Sequence, residues 1–288
     1  MNGAASLVIP LSLFAVMLAL GVGLPLDALQ NWRRHWPLIL RAQLASCLLV
    51  PLAGGLLLLS PIAQGASIEA RHAIALMAAC PSAPLIVRKA GKSGQDASLA
   101  GLLQVTAALV AIVSVPLLAD LASQVFAVEG WDVLPREVAL QVGSGQILPL
   151  LLGLGLRRLW PTTLERLSRP LNRVANGLLL LLVALVFWRA AAGLINFGSG
   201  NLQAIGLMLL LVLASLGLGY GLAGGHGQQR STTALVTAMR NPGLALLLAG
   251  SHAPDLPEVR LGVIVYALVT LVVLAVADGA ARQRAATP

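Results

Sequence analysis

Three residues with chemistry of their own interrupt an apolar stretch near the carboxyl end of the chain. The stretch, residues 231–251, is long enough to cross a bilayer, and Arg240, Asn241 and Pro242 lie at its centre. A charged side chain at that depth is costly, so an intramembrane arginine usually has a function. Proline lacks a backbone donor and disfavours helical geometry in the residue before it, so we predict a helix break around Asn241.

A second apolar stretch, residues 73–91, has Pro81 and Pro84 at its centre. A helix that breaks inside a membrane is tolerated only where protein buries it or where it lines a cavity. Two such helices can meet near the midplane, where their positive amino-terminal ends attract an anion. The predicted helix breaks are Pro81, Pro84, Pro242 and Gly243. The predicted substrate-binding residues are Arg240, Asn241, Pro81, Ser82, Pro84 and Gln104.

Each of these residues also has an interpretation that needs no ligand. The prolines alone could do no more than kink two transmembrane helices. Arg240 either supplies charge to an anionic substrate or donates hydrogen bonds to the last carbonyls of the broken helices. Asn241 either bridges the broken backbone or contacts the substrate, and Gln104 could form only an interhelical hydrogen bond.

Residues that could support catalysis or bind a metal are not grouped along the chain. No nucleophile is paired with a base, so we do not expect an enzyme. The four histidines lie in predicted loops or at the ends of apolar runs, without the spacing of a metal site. Cys47 and Cys80 lie inside apolar runs and are interpreted as packing residues. The sequence predicts neither a metal nor a cofactor.

The composition is that of a polytopic membrane protein. Of the 288 residues 58% are hydrophobic and only 10% are charged, and the mean hydropathy is +0.87. In soluble domains about a quarter of the residues are charged. The net charge of +8 does not indicate a nucleic-acid partner, because the basic residues are scattered at the ends of apolar runs. The expected partner is the lipid bilayer.

Nine apolar runs are of spanning or nearly spanning length, so the predicted fold is an all-α polytopic membrane protein with about nine transmembrane helices. The runs are residues 4–24, 38–60, 73–87, 97–121, 138–156, 175–197, 202–224, 232–250 and 261–277. We interpret residues 1–288 as a single transmembrane domain.

The basic residues between the runs favour one side of the predicted membrane. Fourteen of the nineteen Lys and Arg fall on that side, four fall on the other, and Arg240 lies within the membrane. By the positive-inside rule, the amino terminus is outside and the carboxyl terminus is cytoplasmic, which predicts a multi-pass protein of the cytoplasmic membrane. The most basic predicted loop is the cytoplasmic segment 157–173, which carries five arginines.

The two runs with central prolines are the third and the eighth. Because they are an odd number of runs apart, they cross the membrane in opposite directions, which predicts an inverted repeat with two crossed, proline-broken helices. The first repeat covers about residues 4–124, and the second covers about residues 138–278.

Two motifs resemble those of the bile acid:sodium symporter family. One begins with Cys80 and Pro81 and is followed by Gly-Gln-Asp-Ala at 94–97, and the other is Met-Arg-Asn-Pro-Gly-Leu-Ala at 239–245. With Leu-Pro-Leu-Leu-Leu-Gly at 148–153, the resemblance extends over most of the chain. It implies a fold whose ten-helix members have crossed, broken helices at positions four and nine. Breaks at three and eight then imply that the first helix of that fold is absent.

Three positions depart from this family's pattern. Ile86 and Val87 stand where sodium ligands follow the Cys-Pro motif, and Val236 stands in place of a glutamate. Hydrocarbon side chains cannot ligate sodium, because a hard cation takes about six oxygen ligands. The family's glutamine is Arg240 here, a permanent charge that could replace the coupling cation. The resemblance implies sodium coupling, but these residues predict transport without it.

The sequence therefore predicts a secondary transporter that moves a small organic anion and is not coupled to sodium. Two alternatives remain open: a metalloid or auxin-type efflux carrier of the same superfamily, and a membrane receptor that binds without translocating. The oligomeric state is left open, and a monomer is compatible with the sequence.

Overall fold

The computed structural model describes residues 3–23, 31–33, 35–83, 85–126, 133–253 and 255–286, and almost all of this backbone is helical. We number the α-helices α1 to α11 and treat α2 and α6 as continuous through one π-helical turn each. In chain order the helices are α1 (Gly3–Gly23), α2 (Trp36–Leu59), α3 (Ile68–Ala79), α4 (Ile86–Lys92), α5 (Ala97–Phe126), α6 (Pro135–Leu159), α7 (Pro161–Gly200), α8 (Leu202–Ala223), α9 (Gly227–Ala238), α10 (Pro242–His252) and α11 (Glu258–Ala286).

Five of the described helices are long and apolar enough to cross a membrane. They are α2, α5, α6, α8 and α11, and α1 contributes the shorter apolar segment Phe14–Gly23. Each of the nine predicted runs falls on one helix or on a pair of consecutive helices. The all-helical prediction is confirmed, whereas the count of nine crossings stays a prediction.

Prolines and small polar residues define several helix starts. Proline is the first residue of α6, α7 and α10, where the missing backbone donor costs nothing because the first turn has no intrahelical acceptor for it. Ser67 caps α3 by accepting a hydrogen bond from the Ala70 amide at 3.2 Å. These residues fix where the chain re-enters a helix after each connection.

The arginine-rich segment 157–173 was predicted to be a loop, and this prediction is wrong. Helix α6 continues to Leu159, and α7 begins at Pro161 and runs unbroken for 40 residues. Charge keeps these residues out of the hydrocarbon, but it does not prevent a helix from continuing beyond the membrane. At 1.5 Å per residue α7 is about 60 Å long, roughly twice the hydrocarbon thickness.

The helices pack as two groups. In the first, α1 packs against the carboxyl half of α6 and against α7. Gly21 and Gly153 make this approach possible, because a Cβ at either position would collide with the backbone of the other helix. In the second group, α3 packs against α11, and α8 packs against α2, α9 and α11. We call these the three-helix group and the main group.

Candidate functional site

The described backbone leaves its helix in both of the apolar stretches that carry the predicted breaks. Helix α3 ends at Ala79, the backbone is extended at Cys80, and α4 begins at Ile86. Helix α9 ends at Ala238, and α10 begins at Pro242 with Gly243 as its second residue. Pro81 and Ser82 lie between α3 and α4 and are buried, whereas the predicted break at Pro84 lies outside the described residues.

The two interruptions cross each other in an antiparallel arrangement. Ser82 pairs with Arg240 in an isolated β-bridge. The Ala83 amide donates to the Met239 carbonyl at 2.9 Å, and the Asn241 amide donates to the Cys80 carbonyl at 3.5 Å. Backbone groups that lose their helical partners thus bond to each other, as an apolar environment requires. We call residues 80–83 together with 239–241 the crossing.

Arg240 is buried at the crossing, with 1% of its surface exposed. Its Nε donates to the Met77 carbonyl at 3.0 Å, and its Nη2 donates to the Ala78 carbonyl. Its Nη1 donates to the carbonyl and the Oγ of Ser46, both at 2.9 Å, and to the Thr237 carbonyl at 3.5 Å. Five oxygen atoms from α2, α3 and α9 therefore surround one guanidinium.

The carbonyls that Arg240 contacts are those that lack a helical donor. Met77 would accept from the residue four positions later, which is Pro81, and proline has no amide hydrogen. The Ala78 and Thr237 carbonyls lie in the last turns of α3 and α9, where the helix supplies no further donors. Arg240 thus caps both broken helices at their negative ends.

The Ser46 carbonyl also lacks a backbone donor, for a related reason. It lies in the π-helical turn Ala45–Leu49, in which the Val50 amide donates to Ala45 instead of to Ser46. The next residue, Pro51, has no amide hydrogen to offer. A π-helical turn followed by proline therefore creates an acceptor inside α2, as is common at functional sites.

The side chain of Asn241 caps a helix, which is one of the two roles that the sequence left open for it. Its Oδ1 accepts from the Leu244 amide at 3.1 Å and caps the first turn of α10. Together with the amide of Asn241 at the crossing, this is the backbone-bridging arrangement. The contacts of Arg240 are likewise those of the capping interpretation. Substrate binding by either residue stays a prediction.

Two other predicted site residues have polar atoms without a partner in the described chain. The Oγ of Ser82 and the Oε1 of Gln104 are buried and form no hydrogen bond with any described residue. Ser82 lies within the crossing itself. Gln104 follows Leu103 on α5, and Leu103 packs in one apolar cluster with Ala83 and Met239 of the crossing. Ser82 therefore has hydrogen-bonding capacity to offer at the crossing, and Gln104 has it on a helix that contributes to the same apolar cluster.

Hydrocarbon fills the positions at which the resembled family binds sodium. Ile86 and Val236 are buried in the same apolar cluster, and Val87 packs against it. The part of the chain that the structure describes holds no group of three or more His, Cys, Asp or Glu side chains suited to a metal ion. The positive charge beside this cluster belongs to Arg240.

Sequence reasoning missed two residues near Arg240. The only sign in the sequence that the Ser46 carbonyl lacks a backbone donor is Pro51, five residues later. Tyr266 of α11 is completely buried near Arg240, and its hydroxyl has no hydrogen-bond partner among the described residues. A lone tyrosine in an apolar run gives no sign that it will face a charge on another helix.

Comparison with known proteins identifies the family. A family model described as "SBF-like CPA transporter family (DUF4137)" matches residues 3–276. No curated protein matches the chain significantly. The match covers nearly the whole chain and confirms the predicted resemblance to bile acid:sodium symporter-like proteins. The chain belongs to the SBF-like CPA transporter family and is a multi-pass membrane protein.

Proposed function

We propose that this protein is a secondary transporter that moves a small organic anion across the cytoplasmic membrane without sodium coupling. The observation that carries the proposal is the position of Arg240, whose buried guanidinium is bound by five oxygen atoms at the crossing. A hard cation takes a similar number of oxygen ligands. The guanidinium thus provides, as part of the protein, the positive charge that a sodium-coupled relative obtains by binding an ion.

A tethered charge has different consequences from a bound ion. It cannot dissociate, so it cannot couple transport to an ion gradient. Arginine also remains protonated in proteins, so Arg240 cannot carry protons. Transport should therefore be facilitated diffusion or exchange. The apolar cluster formed by Ile86, Val87 and Val236 supports this, because it offers no oxygen ligands for a second cation.

The charge at the crossing favours an anionic substrate. Every described contact of the guanidinium is to a neutral carbonyl or hydroxyl oxygen, so its charge is not cancelled by a carboxylate. Ser82 and Gln104 supply hydrogen-bonding groups that have no partner among the described residues. Pro81, Pro84 and Asn241 complete the proposed site by shaping the backbone. Arg240 acts by its field and by holding the crossing together.

The proposal includes nine membrane crossings, with the amino terminus outside and the carboxyl terminus in the cytoplasm. The repeats, about 4–124 and 138–278, are inverted within one domain, residues 1–288. Movement of the main group against the three-helix group would expose the crossing to each side in turn.

Uptake into proteoliposomes tests this function. Purified protein would be screened with radiolabelled organic anions, with and without a sodium gradient or a proton gradient. We expect uptake of at least one anion above that of protein-free liposomes. Saturable binding without uptake would favour a receptor instead. Uptake of arsenite or an auxin with no uptake of other anions would favour the efflux-carrier alternative.

A further inference from the structure

Four exposed arginines cluster where α6 meets α7. They are Arg158 at the end of α6 and Arg166, Arg169 and Arg173 in the first third of α7. No hydrogen bond or ion pair joins any of the four to another described residue. Glu165 is the only acidic residue between positions 157 and 174. We call these four side chains the arginine corner.

The helical register aims three of these arginines away from the protein. Arg166, Arg169 and Arg173 follow the spacing i, i+3, i+7, which places them on one face of α7. The opposite face bears the less exposed side chains Leu164, Ser168, Leu171 and Ala175. Ala175 on this inner face is buried, and α7 packs against α1 and α6. The arginine face is thus free to meet something outside the protein.

Large apolar side chains accompany the arginine corner. Leu159 is 69% exposed and Trp160 is 56% exposed at the turn between the helices, and Leu167 and Val174 are about half exposed along one flank of α7. Tryptophan with exposed leucine and valine is unfavourable in water, but it is typical of the membrane–water interface. This combination distinguishes the surface from one that binds nucleic acid or a soluble acidic protein.

The length of α7 sets its depth. About 20 residues of a helix cross the hydrocarbon, whereas α7 has 40 residues and ends at Gly200. Measured from the predicted span 175–197, Arg173, Arg169 and Arg166 lie about 3, 9 and 14 Å beyond the hydrocarbon along the helix axis. This places Arg173 and Arg169 at the level of the headgroups and leaves Arg166 within reach of that level through its long side chain. Trp160 lies about 6 Å beyond the end of the predicted span 138–156 of α6. Arginine is well suited to that level, because its planar fork donates two hydrogen bonds to one phosphate.

We propose that the arginine corner binds the headgroups of anionic phospholipids while Trp160 and the flanking apolar side chains enter the interface. Four basic residues beside a membrane span are enough for such recognition. The bound lipids would anchor the three-helix group, which gives the main group a fixed frame against which to move. Lipid binding by the arginine corner goes beyond the proposed transport function and does not depend on it, whereas the role as a fixed frame rests on that function.

Lipid-selective quenching of Trp160 tests the proposal on the full chain. Trp32, Trp36, Trp131 and Trp188 would be replaced by phenylalanine, which leaves Trp160 as the reporter. The protein would be reconstituted in phosphatidylcholine vesicles that contain either brominated phosphatidylglycerol or brominated phosphatidylcholine. We expect phosphatidylglycerol to be preferred about fivefold, the ratio that about 1 kcal/mol from an engaged arginine gives, and high salt to weaken the preference.

One test variant and two matched controls separate this site from general charge effects. The triple variant Arg166→Gln/Arg169→Gln/Arg173→Gln should lose the preference. The triple variant Arg33→Gln/Arg41→Gln/Lys92→Gln removes the same charge from other exposed positions and should retain it. A variant with Trp188 as the only tryptophan reports from the same helix, 86% exposed but far from the arginines, and should show no preference. Equal quenching of Trp160 by both lipids, an equal loss in both triple variants, or the same preference at Trp188 would overturn the proposal.

Discussion

Arg240 is stable inside the protein because two prolines and the end of a broken helix leave acceptors for it. An unpaired charge near the bilayer centre costs several kcal/mol, but Pro81, Pro51 and the end of α9 each leave a carbonyl without a donor. Each such buried carbonyl would itself cost about 1–3 kcal/mol if left unpaired. The arginine and the helix breaks therefore stabilise one another.

Substitution of Arg240 should separate charge from hydrogen-bonding geometry. Arg240→Gln removes the charge and cannot reach all five oxygens, and Val236 still supplies no ligand for sodium. Anion uptake should therefore be lost, with insertion into the membrane retained. Arg240→Lys keeps the charge but loses the planar fork and should give an intermediate rate. Uptake into proteoliposomes measures both, with gel filtration to check folding. Wild-type uptake by Arg240→Gln would mean that the charge has no part in recognition.

Much of the site could be predicted from the residues themselves. An arginine beside Asn-Pro in an apolar run, and a second run with central prolines, were enough to predict the breaks and their meeting. Tyr266 and Ser46 could not be predicted, because their proximity to Arg240 depends on how α11 and α2 pack. The choice between capping and substrate binding was equally open, since both use the same donors.

At the scale of elements, two helices contain the same local motif, a π-helical turn followed by a proline. The π-helical turns Ala45–Leu49 in α2 and Gly143–Ile147 in α6 both have serine as second residue, Ser46 and Ser144. Both are followed by proline, Pro51 or Pro149, five residues after that serine. In each helix the serine carbonyl lacks a backbone donor for the same reason. Of these two carbonyls, Arg240 donates a hydrogen bond to that of Ser46.

The two prolines allow a matched test of whether the hydrogen bond from Arg240 to the Ser46 carbonyl matters for transport. Pro51→Ala gives α2 an amide that can bond to the Ser46 carbonyl and compete with Arg240. The rate of anion uptake should fall about tenfold, consistent with the loss of one hydrogen bond to a charged group. Pro149→Ala changes α6 in the same way but moves no acceptor away from Arg240, so its effect should be small. Equal effects of the two substitutions on uptake would show that helix geometry, and not the Ser46 contact, matters.

Element positions were more predictable than element boundaries. Hydropathy located each apolar run that is helical in the structure, because a helix must be apolar over a sufficient length to cross a bilayer. It gave no sign of the π-helical turns, which change hydrogen bonding without changing polarity. It also misassigned residues 157–173, because arginines mark the edge of the hydrocarbon and not the end of a helix.

On the scale of the whole molecule, the contacts between the two helix groups include one polar pair. His252 Nε2 of α10 lies 3.1 Å from Glu137 Oε2 of α6. Helix α10 packs against α3 and α11 of the main group. By contrast, Lys89 of α4 bonds to Asp278 of α11 at 2.5 Å, and α4 itself packs against α9 of the main group. The first pair should separate if the groups move during transport, whereas the second should not.

Cross-linking can test this movement. In a background of Cys47→Ala and Cys80→Ala, Glu137→Cys/His252→Cys treated with a short bifunctional maleimide should stop anion uptake. The same reagent on Lys89→Cys/Asp278→Cys joins helices of one group and should leave the rate largely unchanged. Full uptake by the first cross-linked protein would argue against relative motion of the two groups.

The predicted topology has its own test. Cysteine introduced by Thr163→Cys should react only with reagents on the cytoplasmic side, and cysteine introduced by Val128→Cys only with reagents outside. Val128 lies outside the described residues, so its assignment comes from the charge pattern alone. Labelling of both positions from the same side would contradict the nine-crossing arrangement.

Sodium dependence of uptake tests the central claim most directly, namely that Arg240 stands in for a coupling cation. Uptake of the transported anion would be measured in proteoliposomes with an inward gradient of sodium, potassium or choline at equal ionic strength. Because Ile86, Val87 and Val236 form an apolar cluster and the oxygens at the crossing are bound to Arg240, the three rates should be the same. A rate that rises steeply with sodium alone would contradict the account.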